Sequence, residues 1–381
     1  MLTLILKSLN ACNLRCDYCS VGSKEHVKML SEEQMRDALA FFAGYAHLKG
    51  EKKVSVIFHG GEPMLLPAAQ YKRCIAAVIE NFPEITFQFC MQTNGTLLSS
   101  EYIELFQQYD IHVGVSLDGS QKIHDGQRRN VSGAETYALV MQNIRAMQEH
   151  GLAVAALMVL TKPALSGDLD FLQDFDRMDL PLKINPLLSL GDAVRHPELG
   201  LEPGDYGRYL VRVFEYSAKQ RLHLPISPLD EMLFNLLNEG ENRGCQFSAQ
   251  CHSSFLCVDP EGLIYPCGRF ADTHECAIGS IEEGITAKGQ SILEALEVRR
   301  TTRLPEKCRT CRHVRLCHAG CSADQLLKWE VERPCTMCED YRYFFHYLKT
   351  QGVELLKQQL SQERVDLLAH MTEIGAVSDG I

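Results

Sequence analysis

The placement of cysteine constrains this chain more than any other feature. Of sixteen cysteines, eleven lie between Cys245 and Cys338, and three more, Cys12, Cys16 and Cys19, crowd one short stretch near the N-terminus. Such density belongs either to the disulfide scaffold of an exported protein or to metal ligation in a reducing compartment. Met1 to Leu9 has one lysine, too short an apolar run and no small-residue cleavage site, so it does not read as an export signal. No apolar run approaches the roughly 18 residues of a membrane span. The expectation is a cytoplasmic protein with no membrane partner. A net charge of −11 argues against general nucleic-acid binding. Only the stretch from Arg299 to Arg315 is locally basic, which suits either a solvated face or counter-charge for thiolate-ligated clusters.

A hydrophobic fraction of 45% is ample for a buried core. Short β-rich runs alternate with helical patterns up to about Leu190. Strands are expected at Thr3–Leu6, Val54–His59, Thr86–Gln92, His112–Leu117, Val154–Thr161 and Leu182–Leu187. Helices are expected at Ser31–Ala46, Ala68–Asn81, Ser100–Tyr109, Ala134–Glu149 and Gly167–Arg177. Six βα units are too few for a closed eight-stranded barrel, so the fold class is α/β, a partial (β/α)6 TIM-like barrel with a cysteine-rich C-terminal extension. Four regions follow: the barrel over 1–190, a helical connection over 191–240 with helices at Tyr206–Lys219 and Leu229–Leu237, a cysteine-rich domain over 241–345, and a helical tail over 346–381. Helix is expected at Tyr341–Leu360 and Glu363–His370, and fraying at Ser378–Ile381.

Cys12-Asn-Leu-Arg-Cys16-Asp-Tyr-Cys19 puts three thiols on one loop directly after the first strand. A [4Fe–4S] cluster takes four ligands, so three local cysteines leave one iron open to an outside chelator. With Tyr18 before the third cysteine and the position after strand one, the motif resembles the radical S-adenosylmethionine superfamily. The resemblance implies that S-adenosylmethionine occupies the open iron and that one-electron reduction releases methionine and a 5′-deoxyadenosyl radical. Further motifs fit the family in order. Gly60-Gly61-Glu62-Pro63 resembles the methionine-binding segment. Thr93-Asn94-Gly95 and Ser116-Leu-Asp118-Gly119, the latter with His124, Asp125 and Arg128, resemble segments around the cofactor. Gly60, Gly61, Glu62, Asn94, Ser116, Asp118 and Arg128 are thereby the candidate cofactor-binding residues. Taken singly, each motif is also ordinary turn chemistry.

Cys308-x2-Cys311-x5-Cys317-x3-Cys321, with Cys251, Gly262-Leu-Ile-Tyr-Pro-Cys267 upstream and Cys338-Glu-Asp-Tyr-Arg-Tyr-Phe-Phe downstream, resembles the SPASM extension, which binds two auxiliary [4Fe–4S] clusters. The resemblance assigns Cys245, Cys251, Cys267 and Cys321 to the first, and Cys308, Cys311, Cys317 and Cys338 to the second. Three clusters and S-adenosylmethionine are thus the expected cofactors, with an external one-electron reductant such as flavodoxin or ferredoxin as partner. Cys74 and Cys90 read as core residues. Cys257, Cys276 and Cys335 remain alternative ligands, and C-x2-C pairs also suit structural zinc in a non-enzymatic protein.

Proteins with this SPASM pattern mostly act on peptides, so the expected function is oxidative maturation of a ribosomally made peptide by C–H abstraction. Sulfatase-maturing enzymes resemble the chain in layout, but they carry an aspartate after the cysteine matched by Cys267, where this chain has Gly268. They also carry an aromatic pair where Ser20-Val21-Gly22 follows Cys19 here. Formylglycine formation is therefore ranked second, and dehydrogenation of a small molecule third. Many peptide maturases begin with a leader-binding domain. With Cys12 so near the start, a separate leader-recognition protein or the SPASM region itself is expected to take that role.

Overall fold

The computed structural model describes residues 1–21, 26–238, 242–326 and 334–355. Thirteen strands run through them: β1 (Leu2–Lys7), β2 (Leu14–Cys16), β3 (Lys53–His59), β4 (Thr86–Thr93), β5 (His112–Ser116), β6 (Arg128–Asn130), β7 (Val154–Leu160), β8 (Leu182–Pro186), β9 (Ile226–Ser227), β10 (Phe255–Val258), β11 (Leu263–Tyr265), β12 (Gly279–Ser280) and β13 (Gly284–Ile285). Barrel helices α1 (Glu32–Leu48), α2 (Ala68–Asn81), α3 (Ser100–Gln108), α4 (Gln121–Gln127), α5 (Tyr137–Glu149) and α6 (Phe171–Arg177) lead to α7 (Asp205–Gln220) and α8 (Leu229–Leu237). Beyond these lie α9 (Cys251–Ser254), α10 (Gly268–Thr273), α11 (Ala287–Thr301), α12 (Glu306–Arg309), α13 (Val314–Cys317), α14 (Ser322–Leu326) and α15 (Cys338–Tyr347).

All six expected barrel strands form within a residue or two of their expected bounds, because each is a short apolar run in a parallel sheet: β1 and most of β3 are buried on both faces, while β5, β7 and β8 alternate buried and half-buried residues. They pair in the order β1-β3-β4-β5-β7-β8, an open partial barrel covered outside by α1 to α6. A Ser31 capping box fixes the start of α1, with the Ser31 hydroxyl accepting from Gln34 N–H at 3.1 Å and the Gln34 side chain returning to Ser31 N–H.

The sheet does not stop at the barrel. β10 pairs in parallel with β1, Thr3 opposite Phe255, and β11 to β13 continue antiparallel from it. β9 extends the other edge from β8, so eleven strands make one sheet, and the cysteine-rich region is continuous with the barrel through β1. Sequence periodicity did not reveal these additions. β9 to β13 are two to four residues long, and α11 is not markedly amphipathic. The expected helix Glu363–His370, the tail Ser378–Ile381 and the end of Tyr341–Leu360 lie outside the described residues. Among the described residues no helix is long and apolar enough to cross a membrane.

The basic stretch divides. Arg303, Lys307, Arg309, Arg312 and Arg315 are exposed, but Arg300 is buried to 1%. Its guanidinium donates to the carbonyls of Ser248 (2.7 Å), Gln246 (3.0 Å), Cys245 (3.3 Å) and Gly320. One side chain thus ties the loop of Cys245 to the turn before Cys321, using the fixed fork of donors that arginine offers. Arg300→Ala should lower stability to urea by about 3 kcal/mol, since several buried carbonyls lose their donors together. Arg300→Lys should recover only part of the loss.

Candidate active site

The thiol-bearing loop leaves β1 and is pinned to the turn after β3. Gly61 N–H donates to Leu9 C=O at 2.7 Å and Glu62 N–H to Ala11 C=O at 2.8 Å. A side chain at Gly60 would bring its Cβ to 2.3 Å from Leu9 O, in a backbone at φ +138°, and one at Gly61 would meet Ala11 O at 2.0 Å. Both glycines are there because two backbones touch. The far side of the loop is held by β2 pairing with β6, which sets Cys16 opposite Arg128. Asp192 N–H then donates to Cys19 C=O at 2.9 Å from the segment after β8. Elements distant in sequence thereby fix the triad loop.

Glu62 is fully buried, and burial raises its pKa. Its Oε1 accepts from Met64 N–H (2.9 Å) and Thr93 Oγ1 (2.7 Å), and its Oε2 accepts from Asn94 N–H (2.7 Å), so it joins the ends of β3 and β4. Asn94 Nδ2 reaches Asn13 Oδ1 at 2.8 Å and Cys12 Sγ at 3.7 Å. Asp118, also fully buried, accepts from Tyr18, from Gln127 Nε2 (3.0 Å) and from Val159 N–H (3.0 Å). Tyr18 in turn accepts from Arg128, whose guanidinium lies 3.9 Å from Asp118. Ser116 stands apart, its hydroxyl accepting from Gln92 inside the barrel at 3.1 Å.

Sequence reading missed the Tyr18–Asp118–Arg128 chain, the β2–β6 pairing, and the part played by Asn13 and Thr96 beside Asn94. Asn13 Nδ2 donates to Thr96 Oγ1 at 2.8 Å. Proximity of Asn13 and Thr96 to the motifs was the one available signal.

Burial pushes the Cys16 thiol up to about 12 against the pull of Arg128, and Cys12 is raised by burial too. Desolvated thiols of this kind ionise only beside compensating positive charge, which the iron of a cluster provides. Arg128 Nε is buried without a partner, a donor still available to an anionic group. The residues present therefore fit a three-cysteine cluster with a carboxylate-bearing ligand.

In the C-terminal region the cysteines fall into two electrostatic groups. Cys251 hydrogen-bonds Cys245 and senses Cys267, while Cys321 senses Cys267 and Cys245. Cys317 senses Cys338, Cys308 and Cys311, and these three line a cavity with it. Cys335 borders the same cavity and also senses Cys317, Cys338 and Cys321, with its sulfur packed against Gly320, while Cys276 lies apart beside Glu275 and the smaller apolar cluster. Cys257 is on β10, buried beside Lys7. All sixteen cysteines are free of disulfides. Among the described residues no three His, Cys, Asp or Glu side chains gather closely enough to hold a single metal ion.

Residues 6–164 match the model of the Radical SAM superfamily. The chain carries a radical S-adenosylmethionine domain. The serine-type anaerobic sulfatase-maturating enzyme of Bacteroides thetaiotaomicron is 27% identical over 94% of this chain and 93% of its own length. The cysteine-type enzyme of Clostridium perfringens (strain 13) is 25% identical over 91% and 96%. Two solved structures share the fold. "Native anSMEcpe with bound AdoMet" has a TM-score of 0.79 at 21% identity, covering 94% of this chain and 100% of that one. SuiB of Streptococcus suis bound to precursor peptide SuiA has a TM-score of 0.64 at 16% identity, covering 88% and 74%. The radical S-adenosylmethionine domain thus contains the whole triad loop, and the two later cysteine groups lie beyond it.

Asp118→Asn should destabilise this domain by about 3 kcal/mol in denaturant unfolding, because Arg128 then keeps a buried charge without its counter-ion. Tyr18→Phe, which removes the bridge but neither charge, should cost about 1 kcal/mol.

Proposed function

We propose that this protein is a radical S-adenosylmethionine enzyme that oxidises the side chain of a cysteine or serine in a peptide to the aldehyde of formylglycine. The observation that carries this reading is the extent of the likeness. Sulfatase-maturating enzymes of both the serine and the cysteine type match over more than nine-tenths of this chain and of their own lengths. That reverses the order expected from Gly268 and from Ser20-Val21-Gly22, which had placed cross-linking of a ribosomal peptide first. The cross-linking reading has the fold of SuiB in its favour, a likeness that speaks to architecture alone.

In this reading Cys12, Cys16 and Cys19 hold the cluster that binds S-adenosylmethionine, with Asn94 and Arg128 set around it. Cys245, Cys251, Cys267 and Cys321 would hold one auxiliary cluster, and Cys308, Cys311, Cys317 and Cys338 the other. When bound, the cofactors supply a carbon radical and a path for one electron. The chain's own work is to position the peptide, exclude water and take a proton.

Protein reconstituted without oxygen, given dithionite and S-adenosylmethionine, should form 5′-deoxyadenosine, and a Cys/Ser-x-Pro-x-Arg peptide should lose two mass units at the serine, or gain an aldehyde at the cysteine. Replacing Cys12, Cys16 and Cys19 by alanine should abolish both while leaving about eight irons, the content of two auxiliary clusters. Undiminished cleavage in that variant would refute the triad assignment, and an unaltered peptide the substrate class.

Cys338 is the first residue of α15, whose Phe344 and Phe345 are fully buried, and it lines the cavity it shares with Cys308, Cys311 and Cys317, where the positive end of the helix favours a thiolate. Iron per chain should fall markedly in Cys338→Ala and hardly change in Cys335→Ala, as read by iron and sulfide analysis.

A further inference from the structure

Between the triad loop and α10 lies a cavity of about 330 Å³, bordered by Lys7, Asn10, Val21, Gly60, Asp259 and Asp272. It sits where the radical region and the first auxiliary cysteine group meet, since Ser20 follows Cys19 and α10 follows Cys267. Lys7 ends β1 with only 7% of its side chain exposed, donates to Gly268 C=O at 3.1 Å and pairs with Asp272. Burial disfavours the lysine's charge, and Asp272 outweighs it, so the pKa of Lys7 lies above its usual value. Ser20 Oγ donates to the other oxygen of Asp272 at 3.0 Å. Three segments, β1, the triad loop and α10, thus converge on one carboxylate.

Oxidation of a –CH2–XH side chain to –CH=X, with X sulfur or oxygen, removes three things. A hydrogen atom leaves carbon for the radical that S-adenosylmethionine supplies, an electron leaves for an oxidised iron–sulfur cluster, and a proton leaves X. With X sulfur, water then replaces sulfide to give the aldehyde. The proton needs an acceptor beside the reacting group. Glu62 and Asp118 each already take three donors and lock the backbone. Asp259 Oδ1 accepts from Glu261 and Leu263 N–H and closes a turn, and its Oδ2 is buried without a donor, so Asp259 lacks a pair of side-chain donors that would orient it as Lys7 and Ser20 orient Asp272. Asp272 takes one donor on each oxygen, both from side chains, and borders the cavity.

We propose that Asp272, oriented by Lys7 and Ser20, is the proton acceptor for the substrate's thiol or hydroxyl. This rests on the reading above as a peptide oxidase. It also accounts for Gly268. A Cβ built there would lie 3.6 Å from Lys7 Cε, so a carboxylate at 268 would reach the same ammonium. This chain offers none at that position and presents Asp272 one helical turn later.

The test uses the full reconstituted chain with the cysteine and serine peptides. In Asp272→Asn, 5′-deoxyadenosine formed in the presence of peptide should stay within threefold of wild type while aldehyde falls at least 30-fold, so the two become uncoupled. With a β-deuterated peptide, deuterium should still reach 5′-deoxyadenosine. Gly268→Asp in the Asp272→Asn background should restore aldehyde to a tenth of wild type or more, and Asp259→Asn should remain coupled. Iron content and thermal midpoint are read for every variant, and the double variant decides where the single one is unstable. Aldehyde from Asp272→Asn within threefold of wild type, joint loss of deuterium transfer and aldehyde, uncoupling in Asp259→Asn instead, or no rescue would each overturn the assignment. A wild type that forms 5′-deoxyadenosine yet converts neither peptide would instead overturn the functional reading, and this inference with it.

Discussion

Hydrogen bonding along both edges of β1 is the constraint on which the rest of the structure depends. Through β3 it joins the barrel, and through β10 it joins the cysteine-rich region. Its C-terminal end delivers the triad loop, and its last residue, Lys7, reaches the helix behind Cys267. Because a strand is stiff and its register fixes which face each side chain takes, one six-residue segment sets the relative placement of two cysteine-bearing regions.

Buried charge is handled the same way throughout. Asp118 and Arg128 share Tyr18, Lys7 and Asp272 share the floor of a cavity, and Arg300 replaces a counter-ion with carbonyls. None of these groups would be tolerated alone at such depth. Each is instead satisfied by partners from distant segments, which makes the charges report correct assembly as much as they stabilise it.

The barrel was legible because its signals are local and strong. Short β-rich runs alternating with helical patterns name their elements without help from the rest of the chain. The cysteine spacing likewise named the kind of chemistry. What stayed hidden was whatever only tertiary contact defines. The short strands β9 to β13 form because β1 and β8 offer edges, Tyr18 bonds to a residue a hundred positions away, and Asp272 meets Lys7 only because α10 turns it that way. Gly268 could not be weighed from the sequence for the same reason, since a missing side chain says nothing of a neighbour one turn along the same helix.

The pairing of Thr3 with Phe255 has a consequence for biosynthesis. As the chain leaves the ribosome, the outer edge of β1 stays open until about 250 further residues have followed it, when β10 arrives to pair with it. Closing so distant a contact is slow, and an unpaired edge invites other chains. The nascent protein therefore carries an open, apolar strand edge throughout the interval before Val258 emerges. Assembly factors that shield β1 or load its triad early would act within that interval.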